Sequence, residues 1–380
     1  MTAGTRPLSI FMPDLRTGGA ERVAVNLANM LVNRNFSVDM VVLRRRGDLL
    51  RELDSRVRVV DLGVRRVRQS VGPMIRYLKQ ARPLAVLANM WPLTVVAWLS
   101  RQFSDHRVRL VFVEHTTWSI DEQMQRRGTR WLIQQSMRAL YGRADAVVAV
   151  SDGAARDLES IALLPRGAVK TIYNPIVTVS DAEIGTLCCP NEWSRGSHKR
   201  VLAVGTLKAV KDYPTLIKAF AALAQHVDAT LLILGEGEER EALETQVSSL
   251  GLESRVFMPG SVADPRPYYA SADLFVLSSR GEGFGNVIVE ALAEGTPVVS
   301  TDCQSGPREI LEGGQYGALV PVGDPEALAI AMREALLRAH DHDALKRRAG
   351  HFSVERAADA YLDLLVPDWR DLATLMRSCA

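Results

Sequence analysis

Leu274-Phe275-Val276-Leu277-Ser278-Ser279-Arg280-Gly281-Glu282-Gly283-Phe284-Gly285-Asn286-Val287-Ile288-Val289-Glu290 carries the clearest structural signal in the chain. The opening apolar run is short and Val/Phe-containing, and reads as a strand buried on both faces. Glycines at 281, 283 and 285 then allow tight turning and close backbone approach to a ligand. Apolar spacing over residues 285–293 predicts a helix, whose opening amides at Gly285, Asn286 and Val287 suit an anion such as a diphosphate. Glu282 stands in the loop, and Glu290 lies more than one turn inside the helix. A carboxylate at each level suits a sugar nucleotide, with Glu282 near sugar hydroxyls and Glu290 near the ribose diol. The plainer reading, a helix cap and a solvated glutamate, explains either acid alone but not three glycines.

The same alternation extends outward in both directions. Further strands are expected over 201–205, 230–234, 256–258, 297–300 and 318–320, with helices over 215–224, 238–250 and 325–339. Earlier, strands are expected over 8–15, 37–43, 57–62, 84–89, 110–115 and 146–150, and helices over 20–34, 74–80, 94–103 and 130–141. Repeated βα units call for parallel sheets covered by helices. A chain of 380 residues suits two such domains. They are expected over 1–175 and 200–365, joined by an aperiodic linker over 176–199. Helical spacing from Trp369 to Met376 suggests that residues 366–380 return to the first domain.

Composition narrows the class. With 47% hydrophobic and 24% charged residues, the chain reads as soluble and globular. The apolar patch around Trp91 to Leu99 stops well short of the roughly 20 residues that span a bilayer. Residues 1–7 lack the apolar core of a signal peptide, so a cytoplasmic location is expected. The cysteines at 188, 189, 303 and 379 show no metal-ligand spacing and read as reduced thiols. Gly235-x-Gly237 lacks the third glycine of a dinucleotide fingerprint, and no Walker-type loop occurs. Asp341-His342-Asp343 matches a metal-binding Asp-x-Asp pattern but follows no buried strand, and is read as a helix-capping segment.

Charge is divided unevenly. Residues 1–170 hold 27 Lys plus Arg against 15 Asp plus Glu, or +12, leaving 19 against 29, or −10, in the remainder. Such asymmetry points the first half toward something anionic, unless it merely reflects an arginine-rich surface. Arginines without interleaved aromatic platforms argue against nucleic acid. Two stretches could meet an anionic membrane surface: Arg126, Arg127 and Arg130 with Trp131, Leu132 and Met137, and Arg65, Arg66 and Arg68 with Met74, Ile75 and Leu78. The alternative is a pair of ordinary helices burying their apolar faces.

Glu282-x7-Glu290, inside the run from Glu282 to Val299, resembles the signature of family 4 retaining glycosyltransferases of the GT-B fold. Gly18-Gly19-Ala20-Glu21-Arg22, Glu114-His115 and Gly205-Thr206-Leu207-x3-Lys211 match as well. The resemblance implies an α/β chain with two Rossmann-like domains whose parallel sheets face a central cleft, the first holding the acceptor and the second the nucleotide. It likens Gly18 and Gly19 to a loop facing donor phosphate and acceptor. His115 corresponds to a neutral histidine near the reacting sugar, and Lys211 to a lysine neutralising the leaving diphosphate. Ser261 and Val262 resemble the loop beneath the base, with Gly235 in a glycine turn behind it. Gly283, Phe284, Gly285, Asn286, Val287 and Glu290 complete the donor site, and Glu282 steadies the sugar. The family usually has arginine where Thr206 stands, leaving open whether Lys208 substitutes for it. The implied donor is a UDP-sugar, with GDP-sugar second, and the acceptor a glycan or polyprenyl-diphosphate-linked glycan. Neither a cofactor nor a metal is expected, since Lys211 and the helix start would carry the charge stabilisation. The expected location is the cytoplasm, where the basic first half offers a way to rest peripherally on the inner face of the cytoplasmic membrane. Rival readings are an epimerase or phosphorylase on the same fold, or a non-catalytic glycan-binding protein.

Overall fold

The computed structural model describes residues 6–16, 18–121, 124, 126–177 and 199–371. The chain forms two compact units, one of Met1–Thr178 with Ser353–Ala380 and the other of Val179–Phe352.

The first unit is built on strands β1 (Leu8–Met12), β2 (Val38–Val42), β3 (Arg58–Asp61), β4 (Ala85–Asn89), β5 (Arg109–Glu114), β6 (Ala146–Ala149) and β7 (Val169–Thr171). They lie in the order β3-β2-β1-β4-β5-β6-β7, and every pairing is parallel. Every residue of β1, β2 and β4 is buried, because helices cover both faces of the sheet. Side chains alternate between the two cores: Ile10 and Met12 pack toward the helices Gly19–Asn33 and Val354–Leu365, whereas Phe11 packs toward Val71–Ala81 and Leu93–Arg101. Strand β1 ends at Met12 and does not reach residue 15, since Pro13 brings no amide to the ladder.

The second unit contains β8 (Lys199–Val204), β9 (Ala229–Leu234), β10 (Val256–Gly260), β11 (Leu274–Leu277), β12 (Val298–Thr301) and β13 (Ala318–Val320). Their order is β10-β9-β8-β11-β12-β13, again wholly parallel. Both sheets thus reverse their winding beside the first strand, between β1 and β4 and between β8 and β11. Ligand crevices form beyond the carboxyl ends of strands at such reversals.

The return to the first unit begins at Ser353, earlier than the expected residue 366. The helix Val354–Leu365 is the cause: its apolar face of Ala358, Tyr361 and Leu362 is almost fully buried in the first unit's core, followed by Trp369. Ser353 caps this helix, accepting from Arg356 N, and Val354 N donates to Val177 O. Most of the expected linker, with its Cys188 and Cys189, most of the 369–376 segment, and Cys379 lie outside the described residues. Among the described residues, no helix is long and apolar enough to cross a membrane.

Candidate active site

In the second unit, the loops leaving β8 and β11 bring Lys211 and Glu282 together. Lys211 Nζ donates to Glu282 Oε1 at 2.6 Å, and both side chains are largely shielded from solvent. The same oxygen accepts from Ser279 Oγ at 2.6 Å, while Thr301 Oγ1, at the end of β12, donates to Ser279 O at 2.6 Å. A second stitch joins the loops: Arg280 pairs with Asp212 at 3.1 Å, and Arg280 N donates to Val210 O. Asp212 is buried in a left-handed conformation (φ 48°) and accepts from Thr215 Oγ1. Its carboxylate raises the Arg280 pKa. Sequence reading singled out none of Ser279, Thr301, Asp212 and Arg280 for a role. Serine and threonine are too common to stand out, and Asp212 lies far from Arg280 along the chain.

The tight turn of the glycine loop falls at Gly285 (φ 104°), where the helix Asn286–Ala293 begins. Gly281 instead bridges to Gln304. Gly306 lies against this loop so closely that a Cβ there would stand 1.7 Å from Phe284 O. Gly283, Asn286 and Val287 follow in place, half-buried around the helix start. The Phe284 side chain is buried edge-on against Phe352 (5.4 Å), whose ring lies beneath Arg348, so at this position it is the backbone that is offered to a ligand. Glu290 Oε2 accepts from Tyr269 OH at 2.8 Å. Burial, reinforced by Glu290, pushes the Tyr269 hydroxyl pKa far up, so it stays a donor.

The remaining second-unit positions surround the same carboxyl edge. Thr206 and Lys208 are exposed in the loop after β8. Gly235 serves packing, since a Cβ there would lie 1.9 Å from Gly205 O. Arg240 fastens the neighbouring loops by donating to Gly235 O and Met258 O, just before exposed Ser261 and half-buried Val262. Asp341 caps the helix His342–Ala349 by accepting from Ala344 N at 2.9 Å, in keeping with a capping role for that segment.

In the first unit, Gly18 precedes the helix Gly19–Asn33 in an extended conformation. A Cβ at Gly18 would lie 2.2 Å from Glu21 Oε2, so this helix start already carries a carboxylate of its own. Burial, aided by the nearby Asp14 charge, pushes the Glu21 pKa up. His115, directly after β5, places Nε2 3.0 Å from Asn89 Oδ1 at the end of β4. Its Nδ1 is buried with no hydrogen-bond partner, and burial holds the ring pKa down to about 4. Neighbouring Glu114 is fully buried, accepting a short bond from Tyr141 OH, itself 3.0 Å from Thr94 Oγ1. Burial lifts Glu114 to about 7 despite that bond.

The two basic stretches behave differently. Along the helix Arg127–Leu140, Ile133 and Met137 are buried, but Trp131 (64% exposed) and Leu132 (51%) face outward beside exposed Arg126, Arg127 and Arg130. In the other stretch Met74 and Leu78 belong to the core, which removes most of its apolar surface.

Comparison with known proteins agrees with this arrangement. Residues 17–179 match the family described as Glycosyltransferase Family 4, and residues 198–338 match Glycosyl transferases group 1. The chain is 39% identical over 173 residues to the lipopolysaccharide core biosynthesis glycosyltransferase LpsE of Rhizobium meliloti, covering 43% of this chain and 49% of that protein. It is 28% identical over 379 residues to the Campylobacter jejuni N-acetylgalactosamine-N,N'-diacetylbacillosaminyl-diphospho-undecaprenol 4-alpha-N-acetylgalactosaminyltransferase, covering 94% and 99%. Among solved structures, a Rickettsia africae glycosyltransferase superposes with a TM-score of 0.80 at 17% identity, over 96% of this chain and 98% of that one. Anabaena HepE in complex with UDP and glucose gives 0.76 at 22% identity, over 95% and 99%. With both halves matched and both parallel sheets in place, the chain belongs to the family 4 glycosyltransferases of the GT-B fold.

Proposed function

We propose that this glycosyltransferase is a retaining, metal-independent enzyme that moves a hexosyl or N-acetylhexosaminyl group from a UDP-sugar to a glycan or polyprenyl-diphosphate-linked acceptor. GDP-sugar is the second choice of donor. The observation that carries the reading is the Lys211–Glu282 pair, held by paired loops at a strand reversal beside the uncapped start of Asn286–Ala293. Cleaving the anomeric bond leaves its electron pair on a phosphate oxygen, and a preformed ammonium with helix amides stabilises that charge. The acceptor hydroxyl attacks the same face of the sugar, and its proton passes to the departing diphosphate. Glu282, shared between Lys211 and Ser279, holds a sugar hydroxyl, while Glu290 receives the ribose diol. The UDP bound by HepE supports the donor choice, and the diphospho-undecaprenol in the Campylobacter relative's name supports the acceptor class.

A thermal-shift screen of UDP- and GDP-sugars, each with and without chelator, tests this. A ligand at a hundred times its Kd adds about 2.7 kcal/mol. Stabilisation by one donor and transfer that survives chelation are expected. A screen in which no donor stabilises the protein, or activity abolished by chelation and restored by manganese, sinks the reading.

A lipid-linked acceptor calls for a membrane, and we infer that Trp131 and Leu132, with Arg126, Arg127 and Arg130, rest on an anionic inner leaflet. Each basic residue contributes about 1 kcal/mol near such a surface and is screened by salt. Sedimentation with anionic vesicles should be strong at low salt and fall when the three arginines are replaced together. Equal binding to neutral vesicles argues against it.

A further inference from the structure

We propose that Asn89 is a positioning residue that makes His115 an obligate hydrogen-bond acceptor for a hydroxyl of the transferred sugar. The inference rests on the glycosyl-transfer reading and adds to it the residue that sets the polarity of the sugar contact.

Asn89 is buried at the end of β4, 26 residues before His115 in sequence. Its Nδ2 stands 3.3 Å from both Phe11 O and Leu87 O. Both are carbonyls. Turning the amide over would set Oδ1 against two acceptors, so the sheet backbone dictates which end of Asn89 faces the ring. The end that faces it is Oδ1, at 3.0 Å, which can only accept. His115 Nε2 therefore carries the proton, and the neutral ring has a bare lone pair at Nδ1.

That lone pair has no partner among the described residues and is closed to solvent. An unsatisfied buried acceptor is costly, and a ligand donor would recover that cost. A bare imidazole nitrogen accepts from hydroxyl or amide protons. It repels phosphate and carboxylate oxygens, so it selects sugar over diphosphate. Burial alone accounts for the lowered basicity of the ring, with no charged side chain contributing, so the acceptor state persists across ordinary pH.

The test uses the full chain with 15N-labelled histidine, assigning the His115 signals by their loss in His115→Gln. The parent should show a protonated Nε2 and a pyridine-type Nδ1. Adding the donor selected by the thermal-shift screen should shield Nδ1, whereas UDP alone should not. Asn89→Leu should scramble the tautomer and lower kcat/KM by about 10- to 100-fold, consistent with one lost polar contact. A proton on Nδ1 in the parent, or an unchanged tautomer and kcat/KM in Asn89→Leu, overturns the proposal. An enzyme that transfers no sugar would sink the glycosyl-transfer reading, while the ring nitrogens would still decide the assignment to Asn89.

Discussion

In the second unit, the loops leaving β8 and β11 set a lysine against a glutamate at 2.6 Å, beside a helix whose first turn holds no acid. In the first unit, the ends of β4 and β5 set an amide against a neutral imidazole, and the helix after β1 has Glu21 folded over its start. The sheets share one strand order, yet their carboxyl edges differ in electrostatic character. A helix start attracts anions through its partial positive charge, and a resident carboxylate satisfies that attraction in advance. The second unit's helix start, with no acid in its first turn and preceded by the loop that pairs with Lys211, is the better match for a diphosphate. The first unit's edge suits uncharged hydroxyls.

The sharpest way to break this contrast is Lys211→Ala. If the leaving charge is met in the second unit, turnover should fall by about 10²- to 10³-fold, as when one preorganised oxyanion donor is removed. Binding of the intact donor should change much less, because the charge develops only as the bond breaks. Steady-state kinetics beside a binding titration separates the two. A loss confined to binding would mean that Lys211 is a docking residue only.

A second, smaller effect sharpens the division inside the second unit. Glu290→Ala removes the acceptor of the Tyr269 hydroxyl and the group assigned to the ribose diol. UDP affinity should fall by about tenfold, or 1.4 kcal/mol. Glu282→Ala should leave UDP affinity near the parent value while lowering turnover, because its place is with Lys211 and Ser279. Calorimetric titration with UDP alone decides; equal losses would erase the distinction between the two acids.

Both acids stood out in sequence because the glycine loop advertises them, whereas Lys211 was picked out only through the resemblance of Gly205-Thr206-Leu207-x3-Lys211 to the family pattern. The sheets were legible from Val- and Leu-rich runs that burial on both faces demands. Strand β7 was not, since Val169–Thr171 is three residues long and only Val169 is buried. The helix Asp152–Ala162 was also unassigned, although Ser151 before it was a usable signal: its Oγ accepts from Ala154 N. Partners brought in by tertiary structure were beyond reach. Thr301 behind Ser279 and Asn89 beside His115 are fixed by strands meeting across a sheet, and Tyr269 under Glu290 by the helix Arg266–Ser271 packing on Asn286–Ala293.

The finest test concerns how the first unit keeps its edge neutral. Glu114 holds its proton up to about 7 when folded, against 4.5 ordinarily. Between those values the native state binds a proton that the unfolded chain has released, so stability falls as pH rises. His115 does the reverse: its ring titrates near 4 when folded against 6.5 ordinarily. Between 4 and 6.5 the unfolded chain binds the extra proton, so stability rises with pH. In the shared window from 4.5 to 6.5 the two slopes oppose each other and largely cancel. Glu114→Gln keeps an acceptor for Tyr141 but removes one of the two. From pH 5 to pH 6 the variant should therefore gain roughly 1 kcal/mol relative to the parent, set by the 1.36 kcal/mol that one proton contributes per pH unit. Denaturant unfolding of the full chain at both pH values, following the first unit through Trp131 and Trp118 fluorescence, measures the difference. Parallel pH slopes for parent and variant would show that Glu114 is already ionised in the folded protein, and that the first unit's edge holds a buried charge after all.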